Sequence, residues 1–148
     1  LFQMTFPGAP TIYYGDEVSV TGGDDPYNRA TYPWVDHGGK PDLDMLRTFK
    51  KLVGVRNQNA VLRRGSIDAP LHLDDAVVVL LRRHKGQVAI TATNNATEAR
   101  TVTVQLPAGV QATRWKDALG GTAPTQVGST LTLTLPPLFG AVLIASTR

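Results

Sequence analysis

Carboxylates, an arginine and aromatic rings crowd into one stretch of this chain: Asp16 and Glu17, then Asp24, Asp25, Tyr27 and Arg29, then Tyr32, Trp34 and His37. Carboxylates accept hydroxyl protons, a guanidinium donates in a planar fork, and an aromatic face stacks on the apolar face of a sugar ring. Gly22-Gly23, just ahead of the acidic pair, lets the backbone turn and come close to a ligand. These residue types suit a loop that holds a sugar. On the residues alone, Asp25 and Arg29 serve equally well as an ion pair that only ties the loop to itself.

Hydrolysis of a glycosidic bond needs more than such a loop. Two carboxyl groups must face one bond, about 5–5.5 Å apart for retention. Asp16 and Glu17 are neighbours at a strand end, so their side chains diverge, and they read as supports of the loop rather than a catalytic pair. Trp34 and His37 read as packing or solvent-facing loop residues. Tyr27, inside the acidic motif, stays open between packing and ligand contact.

The loop needs elements to position it. Thr11-Ile12-Tyr13-Tyr14, bounded by Gly8, Pro10 and Gly15, is expected to be a short buried strand feeding the loop. Leu1 to Phe6 reads as the end of a helix packed on the sheet. After the loop, Pro41 is expected at the first helical position, with Asp42 and Asp44 at the positive end of the helix dipole. Leu43, Leu46, Phe49, Leu52 and Val53 recur at helical spacing and predict an amphipathic helix to about Asn57. Gly54 inside it costs about 1 kcal/mol relative to Ala and is a candidate for a close contact. A single strand–loop–helix unit cannot bury both faces of its strand, and a parallel barrel needs eight such strands. Residues 1–64 are therefore expected to be the closing end of a larger domain.

Beyond Arg64-Gly65 the period changes to that of strands. Val77–Arg82 is a continuous apolar run, Lys85-Gly86 a turn, and Val88, Ile90 and Ala92 alternate with smaller or polar residues. Val102, Val104 and Leu106 alternate likewise, then Leu131, Leu133 and Leu135, and Leu138–Ala145 follows the Pro136-Pro137 break. Shorter candidates lie near Leu71–Leu73 and Thr113–Lys116. This pattern predicts an all-β antiparallel sandwich over residues 65–148, with the boundary between Arg63 and Ala69. Arg63, Arg64, Arg82, Arg83 and Lys85 fall at element ends and are expected to be solvated.

Composition narrows the partners. The net charge of +3 hides a local imbalance, because seven of the twelve acids lie between Asp16 and Asp44 with only Arg29 and Lys40 beside them. A phosphate-binding surface needs the opposite sign, so no nucleic acid is expected. The absence of cysteine rules out disulfides and thiolate chemistry. No apolar run approaches a membrane span and no leader is visible at Leu1, which leaves compartment open between secreted and cytoplasmic. Asn95-Ala96-Thr97 fits a glycosylation acceptor, a pattern common by chance.

The stretch GAPTIYYGDE, followed by GGDDPYNRATYPW, resembles the last barrel strand and following loop of the α-amylase family of glycoside hydrolases. LRTFKKLVGVRNQNAVLRRG resembles the family's final barrel helix, and TLTLPPLFGAVLIA its closing β-domain strands. The wording is nearest the amylopullulanase and neopullulanase/cyclomaltodextrinase branches. The resemblance implies a fold made of the last βα unit of a TIM-type (β/α)8 barrel followed by the sandwich. It implies that Asp25 and Arg29 hydrogen-bond glucose units, with Tyr27 beside them, and that the parent is a retaining glycosidase acting on starch, pullulan or maltodextrins. Its catalytic acids stand in motifs this chain does not contain, so the chain alone is expected to be inactive. No cofactor is expected in this segment, and the calcium often carried by the family would be bound by residues elsewhere in the parent. The expected partners are an α-glucan and the remainder of the barrel. The competing possibility is a non-catalytic carbohydrate-binding sandwich, which would need an exposed aromatic platform on residues 65–148.

Overall fold

A computed structural model describes residues 1–110, 112, 114–121 and 123–146. Its helices come first: α1 (Phe2–Thr5), α2 (Leu43–Gln58) and α3 (Ala60–Arg64). Nine strands follow among the described residues, β1 (Ser66–Ile67), β2 (His72–Leu73), β3 (Val77–His84), β4 (Gln87–Asn94), β5 (Arg100–Gln105), β6 (Lys116–Asp117), β7 (Thr125–Val127), β8 (Thr130–Leu135) and β9 (Gly140–Ser146). All pairings are antiparallel. One sheet runs β1-β3-β4-β9-β6, with β2 also on β3, and the other runs β5-β8-β7. The expected strand near Thr113–Lys116 lies partly outside the described residues, since Thr113 is not among them; Lys116–Asp117 pairs with β9.

Local chemistry explains the central hairpin. Lys85 and Gly86 join β3 to β4 with φ of 45° and 77°, the double positive φ that a two-residue turn needs to match strand twist. The register then places Val79 opposite Ala92 and Leu81 opposite Ile90. Those side chains meet Val102, Val104, Leu131, Leu133 and Leu135 of the second sheet in one core. Strands β5 and β8 alternate as a half-buried sheet should, with Thr101–Thr134 and Thr103–Thr132 hydroxyl pairs on the outer face at 3.2 and 3.1 Å.

The first sheet is buried on its other face too. Ala89 and Val142 pack there with Leu119 and with Met4, Leu52, Val55, Val61 and Leu62 from the helical segment. The helices and the sandwich thus share a core, and β3 and β4 lose strict alternation because both of their faces are covered.

Three expectations change. Thr11–Tyr14 is paired with no described strand, and Ile12, Tyr13 and Tyr14 are 38, 56 and 50% exposed; a strand needs a hydrogen-bonded neighbour, and none lies beside it. Pro41 stands outside α2, because the Asp42 side chain accepts from the Asp44 and Met45 amides and is itself the N-cap. Arg82 is not solvated but fully buried. Its strand parity turns it toward α3, where backbone carbonyls replace water around the guanidinium.

Candidate functional site

The loop between the exposed tyrosines and α2 is built from turns rather than strands. Short 3-10 turns occupy Asp16–Val18, Tyr27–Arg29 and Val35–His37. The carboxylates of the first turn are spent locally: Asp16 accepts from the Tyr13 amide at 3.2 Å and Glu17 from the Gly15 amide at 2.9 Å. Neither faces the other across a space for a glycosidic bond.

Arg29 donates to Asp25 across the second turn, and both side chains are about two-thirds exposed. The Tyr27 ring between them in sequence is 74% exposed. The Tyr27 amide donates to the Asp24 carbonyl at 2.7 Å, which fixes the turn that carries all three. Gly22 lies against this turn so closely that a Cβ there would stand 2.9 Å from the Tyr27 carbonyl oxygen. Tyr27 lines two concavities, and Asp25 lines neither. One, of about 290 Å³, is lined by Tyr13, Tyr14, Asp16, Thr21 and Asn28; the other holds Pro26 and Arg29.

The remaining candidates lie apart from that turn. Tyr32 and Trp34 pack ring against ring at 4.5 Å, with Trp34 59% exposed. His37 is exposed and lies 3.8 Å from Asp36. Neither Trp34 nor His37 lines the two concavities. Among the described residues no three His, Asp or Glu side chains gather into a metal site, and no helix is long and apolar enough to cross a membrane.

Sequence reasoning missed what holds the loop in place. At its far end Asp42 accepts from the Ser19 hydroxyl at 2.9 Å, and its amide donates to the Val18 carbonyl at 3.2 Å. The Met45 amide and then the Ser19 hydroxyl lower the Asp42 carboxyl below its ordinary value. At the near end Arg56 donates to the carbonyls of Met4, Phe6 and Gly8, and Arg82 to that of Thr5. Burial pushes both guanidiniums below the usual arginine value. Tyr13 and Tyr14 were also missed as wall residues, since an apolar run of that length reads as strand interior. The one signal for Arg82 was its place in a run otherwise apolar.

Known proteins resemble this chain in sequence and fold. Residues 71–141 match the family model described as Maltogenic Amylase, C-terminal domain, and 99% of the chain aligns at 33% identity with an amylopullulanase of Thermoanaerobacter thermohydrosulfuricus, covering 10% of it. Over residues 71–141 the chain belongs to that C-terminal domain family. A cyclomaltodextrinase of Geobacillus thermopakistaniensis is 34% identical over 98% of this chain and 24% of its own length. The acarbose-soaked structure of a debranching enzyme from Nostoc punctiforme superposes with a TM-score of 0.73 at 28% identity, over 99% of this chain and 27% of that one. The chain thus spans between about a tenth and a quarter of these relatives, and the amylopullulanase and the cyclomaltodextrinase are glycoside hydrolases.

Proposed function

We propose that this chain is the sugar-loop and β-domain portion of a longer retaining glycosidase that hydrolyses α-glucosidic bonds in starch, pullulan or maltodextrins. In this reading residues 1–64 close a (β/α)8 barrel and residues 65–148 form the appended sandwich. Asp25 and Arg29 hydrogen-bond the hydroxyls of glucose units, and Tyr27 offers a ring face beside them. The exposed Asp25–Arg29 pair beside an exposed Tyr27 that lines two concavities carries the reading.

Uncovered apolar surface supports the barrel part. Ten of the fourteen large hydrophobic side chains exposed among the described residues lie between Phe2 and Met45. Ile12, Tyr14, Leu46, Phe49 and Val53 line an open apolar groove of about 570 Å³, the kind of face that another element covers. Neighbouring barrel strands and helices would occupy it, and calcium, where the longer protein binds it, would be held by residues outside this chain.

The sandwich as a free-standing carbohydrate-binding module is less well supported. Its aromatic residues are Trp115 and Phe139, both partly buried against the cores, and Trp115 Nε1 donates to Gln126 at 2.8 Å. The exposed rings all belong to the first segment.

The test uses starch and pullulan. The 148-residue chain should release no reducing sugar, whereas the longer protein should, and Asp25→Ala in it should raise KM for maltoheptaose about tenfold, the loss of one or two charge-assisted hydrogen bonds. Turnover by the short chain would overturn the reading.

A further inference from the structure

Arg56 and Arg82 form a buried pair with an unusual set of acceptors. Arg82 is fully buried and Arg56 6% exposed, and among the described residues no carboxylate pairs with either. Arg56 donates to the carbonyls of Met4 (2.9 Å), Phe6 (3.2 Å), Gly8 (2.5 Å) and Leu62 (3.2 Å). Arg82 donates to those of Thr5 (2.7 Å), Leu62 (3.3 Å), Gly65 (2.7 Å) and Ser66 (2.8 Å). A guanidinium offers five N–H groups in a fixed plane, so each ring of acceptors is held in a defined geometry.

The acceptors are distributed in a telling way. Four consecutive-to-near carbonyls, at positions 4, 5, 6 and 8, belong to the segment that runs straight into Tyr13, Tyr14 and the loop. Arg82 itself belongs to strand β3, the middle of the sandwich, paired across to Ala89. A plain core position there would be served by Leu or Val at lower desolvation cost. What the guanidinium adds is a fixed connection between the sandwich and the backbone that leads to the loop.

We propose that Arg82 is a positioning residue for sugar binding: acting with Arg56, it registers the segment Met4–Gly8 on the sandwich and so fixes where the Tyr13–Arg29 stretch stands. The inference rests on the reading of Asp25 and Arg29 as sugar contacts. It gives the β-domain a part in binding glucan although none of its own side chains touches the sugar.

The test is made in the longer protein with Arg82→Lys and Arg82→Met, beside Asp25→Ala as the reference for the loop. Lysine keeps the charge and one or two donors but loses the planar fork. Arg82→Lys should raise KM for maltoheptaose about five-fold and Arg82→Met about twenty-fold, each with kcat within about two-fold, and neither should alter KM for a short substrate that does not reach the loop. Amide hydrogen exchange of Tyr13–Arg29 should quicken in Arg82→Lys while that of β5 and β8 stays as in the parent. The proposal fails if Asp25→Ala raises KM and the Arg82 variants do not, or if kcat falls equally on both substrates. If Asp25→Ala itself leaves KM unchanged, the sugar reading fails, and exchange still decides the positioning: unaltered protection of Tyr13–Arg29 in Arg82→Lys overturns it. Should Arg82→Met not fold, the lysine variant carries both measurements.

Discussion

The Ser19 hydroxyl donates to one oxygen of Asp42 at 2.9 Å while the other oxygen caps α2 through the Asp44 and Met45 amides at 3.0 and 2.9 Å. One carboxylate thereby closes the base of the 16–42 loop and starts the helix behind it. Asp42→Ala should fray the first turn of α2 and loosen Asp16–Val18 together, seen as lost helical circular dichroism and faster exchange in both places. Ser19→Ala should loosen the loop and leave helicity unchanged. Equal helicity in both variants would separate the two roles and refute the shared cap.

Acid should lower stability through two carboxylates, Asp74 and Asp42. The His72 ring nitrogen, then the Ala76 and Val77 amides, lower Asp74 from 3.8 to about 2. A carboxyl group lowered on folding adds stability that is complete above its unfolded value and is lost as pH falls through its folded value. Stability should therefore decline between about pH 4 and pH 2, and Asp74→Asn and Asp42→Asn should each flatten that decline in acid melts. A decline of the same slope in both variants would refute the assignment.

Gly54 gives opposite predictions in two contexts. In the 148-residue chain a Cβ on it meets nothing within 4 Å, so Gly54→Ala should stabilise by about 1 kcal/mol through helix propensity. In the longer protein, where the proposed barrel covers this groove, the same change should be neutral or destabilising. Thermal melts of both proteins make the comparison, and stabilisation in both would argue that the face stays open.

Gly22→Ala should disturb the proposed sugar motif without touching the core. The added Cβ would stand 2.9 Å from the Tyr27 carbonyl, forcing the Asp25–Arg29 turn to move. KM for maltoheptaose should rise in the longer protein while the melting temperature stays close to that of the parent.

In the sandwich, Leu131→Ala removes a fully buried side chain from the core between the sheets and should cost about 2–5 kcal/mol in denaturant unfolding. Thr103→Ala, on the outer face of the same strand pair, should cost no more than about 1 kcal/mol.

The sequence made some of this legible and concealed the rest for physical reasons. Period carried α2, β3, β4, β5, β8 and β9, because burial on one face or two writes a repeat of apolar residues. The Asp25–Arg29 ion pair was legible through residue type and spacing. Tyr13 and Tyr14 misled, since the same four apolar residues make a strand only where a neighbour pairs with them. Arg82 was hidden because a charge run beside a turn is ordinarily solvated. What buries it is a set of carbonyls from positions 5, 62, 65 and 66, and carbonyls leave no trace in a list of side chains. The start of α2 was placed two residues early, at Pro41 rather than Leu43, because Pro41 is acceptable both inside a first turn and just before it.

The Leu62 carbonyl, shared by Arg56 and Arg82 at 3.2 and 3.3 Å, sets a limit on recombination. A chimera spliced at Arg64-Gly65, the seam that the change of period suggests, would take Arg82 from one parent and its acceptors at positions 5 and 62 from another. The transferable block is instead discontinuous: the opening residues 1–8 together with everything from α2 onward. The stretch between them, 9–41, lies outside that block, while Asp42 stays with the helix that it caps.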